Sequence, residues 1–287
     1  MAMGINTNQM SLNAQRQSST AQAALGTAMA RLSSGMRINT AKDDAAGLAI
    51  GERMNSQVRG MTVAIRNAND GISMTQTAEG GLSTVVNMLQ RMRELSVQAV
   101  NSTNLTGDLS AMDKEYRQLA TEIGRTLRDT QFNGVSVLSG VAGDYTFQVG
   151  ANSGQVITVG AADLDASVNP AIAAVFIDEA GAGGAASGLD VAINTNNAGN
   201  ITALDAAIQA VNEQRATLGA VQSRFDNTIS NLQSSVENQT AAKGRIKDAD
   251  FATESANLSR SQILSQASTA MIAQANQLSQ GVMSLLR

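Results

Sequence analysis

Apolar residues return at alternating steps of three and four along most of this chain, the repeat that winds α-helices into coiled coils. In residues 262–287 the series is Leu264, Ala267, Met271, Ala275, Leu278, Val282 and Leu285, with a second stripe of Ile272, Met283 and Leu286 on another face. Near the other end, Met10, Ala14, Ala21, Leu25, Ala28 and Leu32 keep the same spacing before Gly35 closes the helix. Two seam-bearing helices at opposite ends of the sequence are expected to pair. Their outer faces carry Ser, Gln, Asn and Thr, with no acid before Asp43 and none after Glu254. Such a surface can be buried against further helices without stranding charge. Both stretches therefore read as poorly ordered alone and folded once other copies enclose them.

Between them the pattern predicts long helices. Asp43-Asp44 ahead of Ala45-Ala46-Gly47-Leu48 reads as a helix cap rather than an acid/base couple. Met54, Val58, Met61, Ile65, Ala68 and Ile72 then keep heptad spacing, and Ala78, Leu82, Val85, Leu89, Met92 and Ala99 resume it after a slip near Thr75. A turn at 102–107 leads to a shorter helix with Leu109, Met112, Tyr116, Leu119, Ile123 and Leu127 inward, ended by Thr130-Gln131-Phe132-Asn133-Gly134. Short strands are expected at 135–138 and in a hairpin, with Tyr145, Phe147 and Val149 on one arm and 156–159 on the other. Helical order returns at Ile201, where Leu204, Val211, Leu218, Phe225 and Leu232 repeat every seven, partnered by Ile201, Ile208, Ile229 and Val236. Arg215 and Gln222 interrupt this seam and are read as fixing its register. The helix is expected to end near Gly244.

Composition narrows the chemistry. Aromatic residues are 2% of the 287 and there is one proline, which fits long helices better than a bulky globular core. The net charge of −4 offers no basic patch for nucleic acid. There are no cysteines and no histidines, so disulfides, thiolate or imidazole metal ligands and Ser-His-Asp or Cys-His catalysis have no candidate residues. No Lys or Arg lies between Arg128 and Arg215, while acids gather among glycines and alanines, which marks 161–200 as a small, solvent-facing insertion. Its Asp163, Asp165 and Asp178 lack an EF-hand pattern, and Gly181-Ala182-Gly183-Gly184 lacks the lysine of a phosphate loop. No catalytic residue, cofactor or metal is expected. Neither a charged leader followed by an apolar run nor an apolar span of about 18 residues is present, so no cleaved signal and no membrane insertion are expected.

Several longer motifs carry a resemblance. Ala41-Lys42-Asp43-Asp44-Ala45-Ala46-Gly47-Leu48, Asn67-Ala68-Asn69-Asp70-Gly71-Ile72-Ser73, Leu89-Gln90-Arg91-Met92-Arg93-Glu94-Leu95, the 130–134 turn, Asp248-Ala249-Asp250 and Leu285-Leu286-Arg287 closely resemble bacterial flagellin, in the same order. The resemblance covers roughly 1–160 and 201–287. It implies a mainly α protein: long antiparallel helical rods and coiled-coil helices from the two ends of the chain, a small β-hairpin region and a short outer insertion. Residues 1–42 and 252–287 would line the inner filament core, 43–160 and 201–251 would form the rod, and 161–200 would be the variable insertion, too short for the bulky outer domains of larger flagellins. The implied role is a subunit that polymerises into the extracellular filament used for motility. Self-assembly is assigned to Leu25, Leu32, Leu264, Met271, Leu278, Val282, Leu285 and Leu286. Export would pass through the flagellar secretion channel, and an export chaperone, hook-associated proteins and a cap protein would be partners. The resemblance also implies that Arg91, Leu95 and Glu115 form a surface read by a Toll-like innate receptor, and that Val282, Leu285 and Leu286 match a segment sensed inside host cells. From the residues alone, Arg91 and Glu115 read as solvated or subunit-contacting side chains, and Leu95 as interface packing.

Two other classes compete. A secreted coiled-coil needle-cap or translocator-like protein needs a basic amphipathic helix or a long apolar hairpin, and the sequence has neither. An enzyme with a catalytic insertion needs an acid/base or metal cluster, and only scattered carboxylates are available.

Overall fold

Five helices and two small hairpins carry this pattern in a computed structural model of the chain, which describes residues 8–138, 143–160 and 194–285, with side chains of the last stretch described for 199–277. In order they are α1 (Gln9–Ser34), α2 (Ala45–Ala99), α3 (Thr106–Asp129), β1 (Gln131–Phe132), β2 (Val135–Ser136), β3 (Tyr145–Gln148), β4 (Val156–Val159), α4 (Asn194–Lys247) and α5 (Phe251–Leu285). Helix α4 thus begins before the expected Ile201 and runs past Gly244. The chain divides into two compact units, one of Met1–Val58 with Glu237–Arg287, the other Arg59–Val236.

In the second unit α2, α3 and α4 share one apolar core with the β3–β4 hairpin. The enclosed face of α2 runs Met61, Ala64, Ala68, Gly71, Thr75, Ala78, Leu82, Val85, Leu89, Met92, Ser96 and Ala99, an unbroken series of three- and four-residue steps. The expected slip near Thr75 does not occur. Ala64 and Gly71 hold the positions that size alone gave to Ile65 and Ile72, which are half-buried beside the seam. The cause is visible at Gly71, where an added Cβ would come within 2.6 Å of Phe225 Cζ. Phe225 from α4 fills that space, fully enclosed, with Phe147 of the hairpin edge-on to it at 5.6 Å and 89°. The two enclosed hydroxyls are satisfied along α2: Thr75 Oγ1 donates to Ile72 O at 2.8 Å, and Ser96 Oγ donates to Met92 O at 2.9 Å.

The neighbouring helices repeat this preference. On α3, Ala120 is fully buried while Leu119 is half-buried, and on α4, Ala207 is buried while Ile208 is half-buried. Tyr116 lies in the core, and burial, with the Asp113 carboxylate second, pushes its phenol up to about 12, so it stays neutral. Arg215 and Gln222, read as register-fixing, both reach Glu79 of α2: Arg215 Nη2 lies 3.7 Å from Oε1, and Gln222 Nε2 donates to Oε2 at 3.4 Å.

Asn133 and Gly134 both have positive φ, 51° and 78°, and turn β1 directly into β2 as a two-residue hairpin. Strands β3 and β4 pair antiparallel from Tyr145 opposite Val159 to Gln148 opposite Val156, and bury Ile157 and Val159. Asn67 of α2 pins this hairpin by donating from Nδ2 to Gln148 O at 3.0 Å.

Candidate assembly surface

The first unit is built around α1 and α5, which pair as their sequence patterns predict and run antiparallel. At one end, Asn8 caps α1 by accepting from Ser11 N–H at 3.1 Å, and its Nδ2 donates to Ala275 O of α5 at 2.9 Å. At the other, Gly35 ends α1 with φ of 68°. Met36 then lies opposite Asp248 in an antiparallel bridge, with Arg37 N–H donating to Lys247 O at 2.8 Å and Ala249 N–H to Gly35 O at 2.9 Å. Asp250 starts α5 by accepting from the Ala252 and Thr253 amides and the Thr253 hydroxyl. The Thr253 hydroxyl bond, followed by those two amides, holds its carboxyl below the usual range. Of the sequence pair Asp43-Asp44, Asp44 caps α2 through Gly47 N–H at 2.8 Å, and Asp43 instead accepts from Asn39 and Thr40 in the preceding turn.

Which side chains lie between the two helices differs from the sequence expectation. The buried and half-buried positions step through Ser11, Ala14, Ser18, Ala21, Leu25, Ala28 and Leu32 on α1, and through Glu254, Leu258, Ser261, Ser265, Ser268, Ile272 and Ala275 on α5. Met10, Leu264, Ala267 and Met271, expected in the seam, are exposed. Serine and alanine let two backbones approach closely, whereas a row of Leu and Met cannot be enclosed by one partner helix. Serines at heptad spacing were the available signal, and a search for large apolar residues passes over them. Leu12, Met29, Phe251 and Ile263 are also exposed, so the pair presents an apolar exterior. Leu25 and Leu32 are half-buried in the pair; the side chains of Leu278, Val282 and Leu285, and Leu286 altogether, lie outside the described residues. Beside the seam Arg31 Nη1 lies 3.8 Å from the buried Glu254, with Arg31 Nε left without a partner.

The second set of sequence candidates lies on α2 and α3. Arg91 Nε donates to Glu115 Oε1 at 2.8 Å and Arg91 Nη1 to Glu94 Oε2 at 3.0 Å, which raises the guanidinium pKa, the Glu115 bond contributing most. Leu95 does not join them at the surface. It is 2% exposed and part of the core, because α2 turns that residue toward α3 and α4. Among the described residues no helix is long and apolar enough to cross a membrane.

Residues 5–142 match the bacterial flagellin N-terminal helical region, and residues 201–286 match the bacterial flagellin C-terminal helical region. The chain belongs to the bacterial flagellin family. It is 46% identical to the flagellin of Halalkalibacterium halodurans over 89% of each chain, and 44% identical to that of Bacillus subtilis over 89% of this chain and 90% of that one. The flagellin of Xenorhabdus nematophila is 42% identical over the whole of both. Among solved structures, the crystal structure of Bacillus cereus flagellin aligns at 32% identity over 62% of this chain and 94% of that one, with a TM-score of 0.48. As a flagellin, the chain is a structural subunit of the homopolymeric flagellar filament, an extracellular assembly, and nothing favours the needle-cap alternative.

Proposed function

We propose that the filament is held together through the outward Leu and Met side chains of α1 and α5, which neighbouring subunits cover on polymerisation. The observation that carries this reading is the packing of the pair: Ser and Ala hold most of the seam while Met10, Met29, Leu264 and Met271 stand in solvent. Each large side chain moved from water into an interface contributes roughly 1.5–3 kcal/mol, so several per subunit form a strong assembly surface. Contacts of this kind, made between different faces of successive copies, propagate as a filament instead of closing. The same exposure gives the free helices reason to order further on assembly. Leu278, Val282, Leu285 and Leu286 are proposed to extend the same surface.

Passage through the flagellar export channel, an export chaperone covering this exterior before secretion, and hook-associated and cap proteins meeting the same helices at filament ends belong to the same proposal. The proposed innate receptor surface is reduced to Arg91 and Glu115, since Leu95 is enclosed. Electron microscopy of purified subunits before and after seeding with filament fragments, with circular dichroism on the same samples, tests the central claim. Filaments appearing with a gain in helix signal support it; filaments from a subunit whose exposed Leu and Met have been replaced by charged residues would overturn it.

A further inference from the structure

Among the described methionines the most exposed and the most buried lie on different elements, with Met36, Met54 and Met88 half-buried between these extremes. Met10, Met29 and Met271 are 62%, 57% and 61% exposed, all on α1 or α5, whereas Met61, Met74, Met92 and Met112 are buried in the second unit. Thioether oxidation follows access, and it turns a flexible apolar side chain into a polar one. We infer that Met10, Met29 and Met271 are oxidation sites through which peroxide blocks polymerisation of the free subunit. A sulfur lone pair attacks one peroxide oxygen, the O–O bond breaks, the sulfoxide S–O bond forms, and the second oxygen leaves as water; sulfur is oxidised by two electrons and peroxide is reduced. Each sulfoxide puts a strong hydrogen-bond acceptor on the surface that must be dried to join a neighbour, at a cost that an apolar interface does not return. The core sulfurs are shielded, so the subunit stays folded while losing its ability to assemble. Methionine sulfoxide reduction reverses the block.

This inference rests on the outward faces of α1 and α5 being the assembly surface, and the test separates the two. Full-length subunits are treated with hydrogen peroxide, oxygen uptake at each methionine is read by peptide mass spectrometry, and seeded polymerisation is followed. The triple variant Met10→Leu, Met29→Leu, Met271→Leu is treated in parallel. We expect oxygen to appear at the three exposed positions before Met74 and Met92, thermal unfolding to be unchanged, filaments to be lost in the parent relative to its untreated sample, and the treated leucine variant to polymerise to the same extent as its own untreated sample. Equal oxidation of the core methionines, or equal loss of filaments in both proteins, overturns the inference. A second triple variant, with glutamine at the same positions, is left untreated. If it polymerises like the parent, the assembly-surface reading itself falls; if it fails while oxidised parent still polymerises, only the oxidation inference falls.

Discussion

Phe225 and Leu264 are both large apolar side chains on long helices with heptad seams, yet the first is wholly enclosed and the second is half in water. In the second unit, large residues such as Phe225, Leu82, Leu89 and Met92 point inward, and the gap that Phe225 needs is made by Gly71. In the α1–α5 pair most inward positions are Ser or Ala, the large residues that join them, Leu25, Leu32, Leu258 and Ile272, are only half-buried, and Met10, Met29, Leu264 and Met271 point outward. Three helices and a hairpin can surround a bulky side chain; two helices cannot. The second unit therefore satisfies itself, and the pair is left with apolar surface that other copies of the chain can cover.

Substitutions can break or sharpen that contrast. The largest effect on the free subunit is expected from Phe225→Ala, which leaves a cavity between α2, α4 and the hairpin and costs about 3–5 kcal/mol, read as a lower thermal midpoint. Gly71→Ala forces a methyl against the same ring and is expected to cost about 1–3 kcal/mol by denaturant unfolding; an unchanged midpoint would mean that the ring is not held there. Asp250 gives a smaller, acid-dependent effect. Because its folded pKa is depressed, its stabilisation of the α5 start is complete above the ordinary aspartate range and is lost as pH falls through the depressed value. The Ala252 and Thr253 amide resonances should titrate at that low pH, and Asp250→Ala should abolish the inflection. Smallest on the subunit is Leu264→Asp, expected to change unfolding by less than about 0.5 kcal/mol while filaments disappear from electron micrographs. Filaments of normal yield from that variant would make the outward stripe incidental.

Helix order, the pairing of α1 with α5, the hairpin and a cap at Asp43-Asp44 were legible, because heptad spacing, turn residues and capping residues act locally; that Asp44 alone makes the cap was not. Flagellin motifs made the family legible as well. The facing of individual residues was not. Ile65, Ile72, Leu119 and Ile208 were expected inward and are half-buried, displaced by Ala64, Gly71, Ala120 and Ala207; Met10, Leu264 and Met271 were expected inward and are exposed; Leu95 was assigned to a surface and is core. Leu95 was placed by resemblance; for the others the reading ranked positions by side-chain size, and the packing ranked them by the distance between backbones.

The sequence by itself determined that this chain would be long helices with a short β region and a chemistry without histidine or cysteine, since the period of an apolar pattern and the absence of a residue type need no partner to be read. Only the tertiary structure decided which stripe of each helix lies inside. Two adjacent stripes one residue apart have the same period, and what chooses between them is whether the facing element offers a space, as Gly71 does to Phe225, or a close backbone that favours serine and alanine.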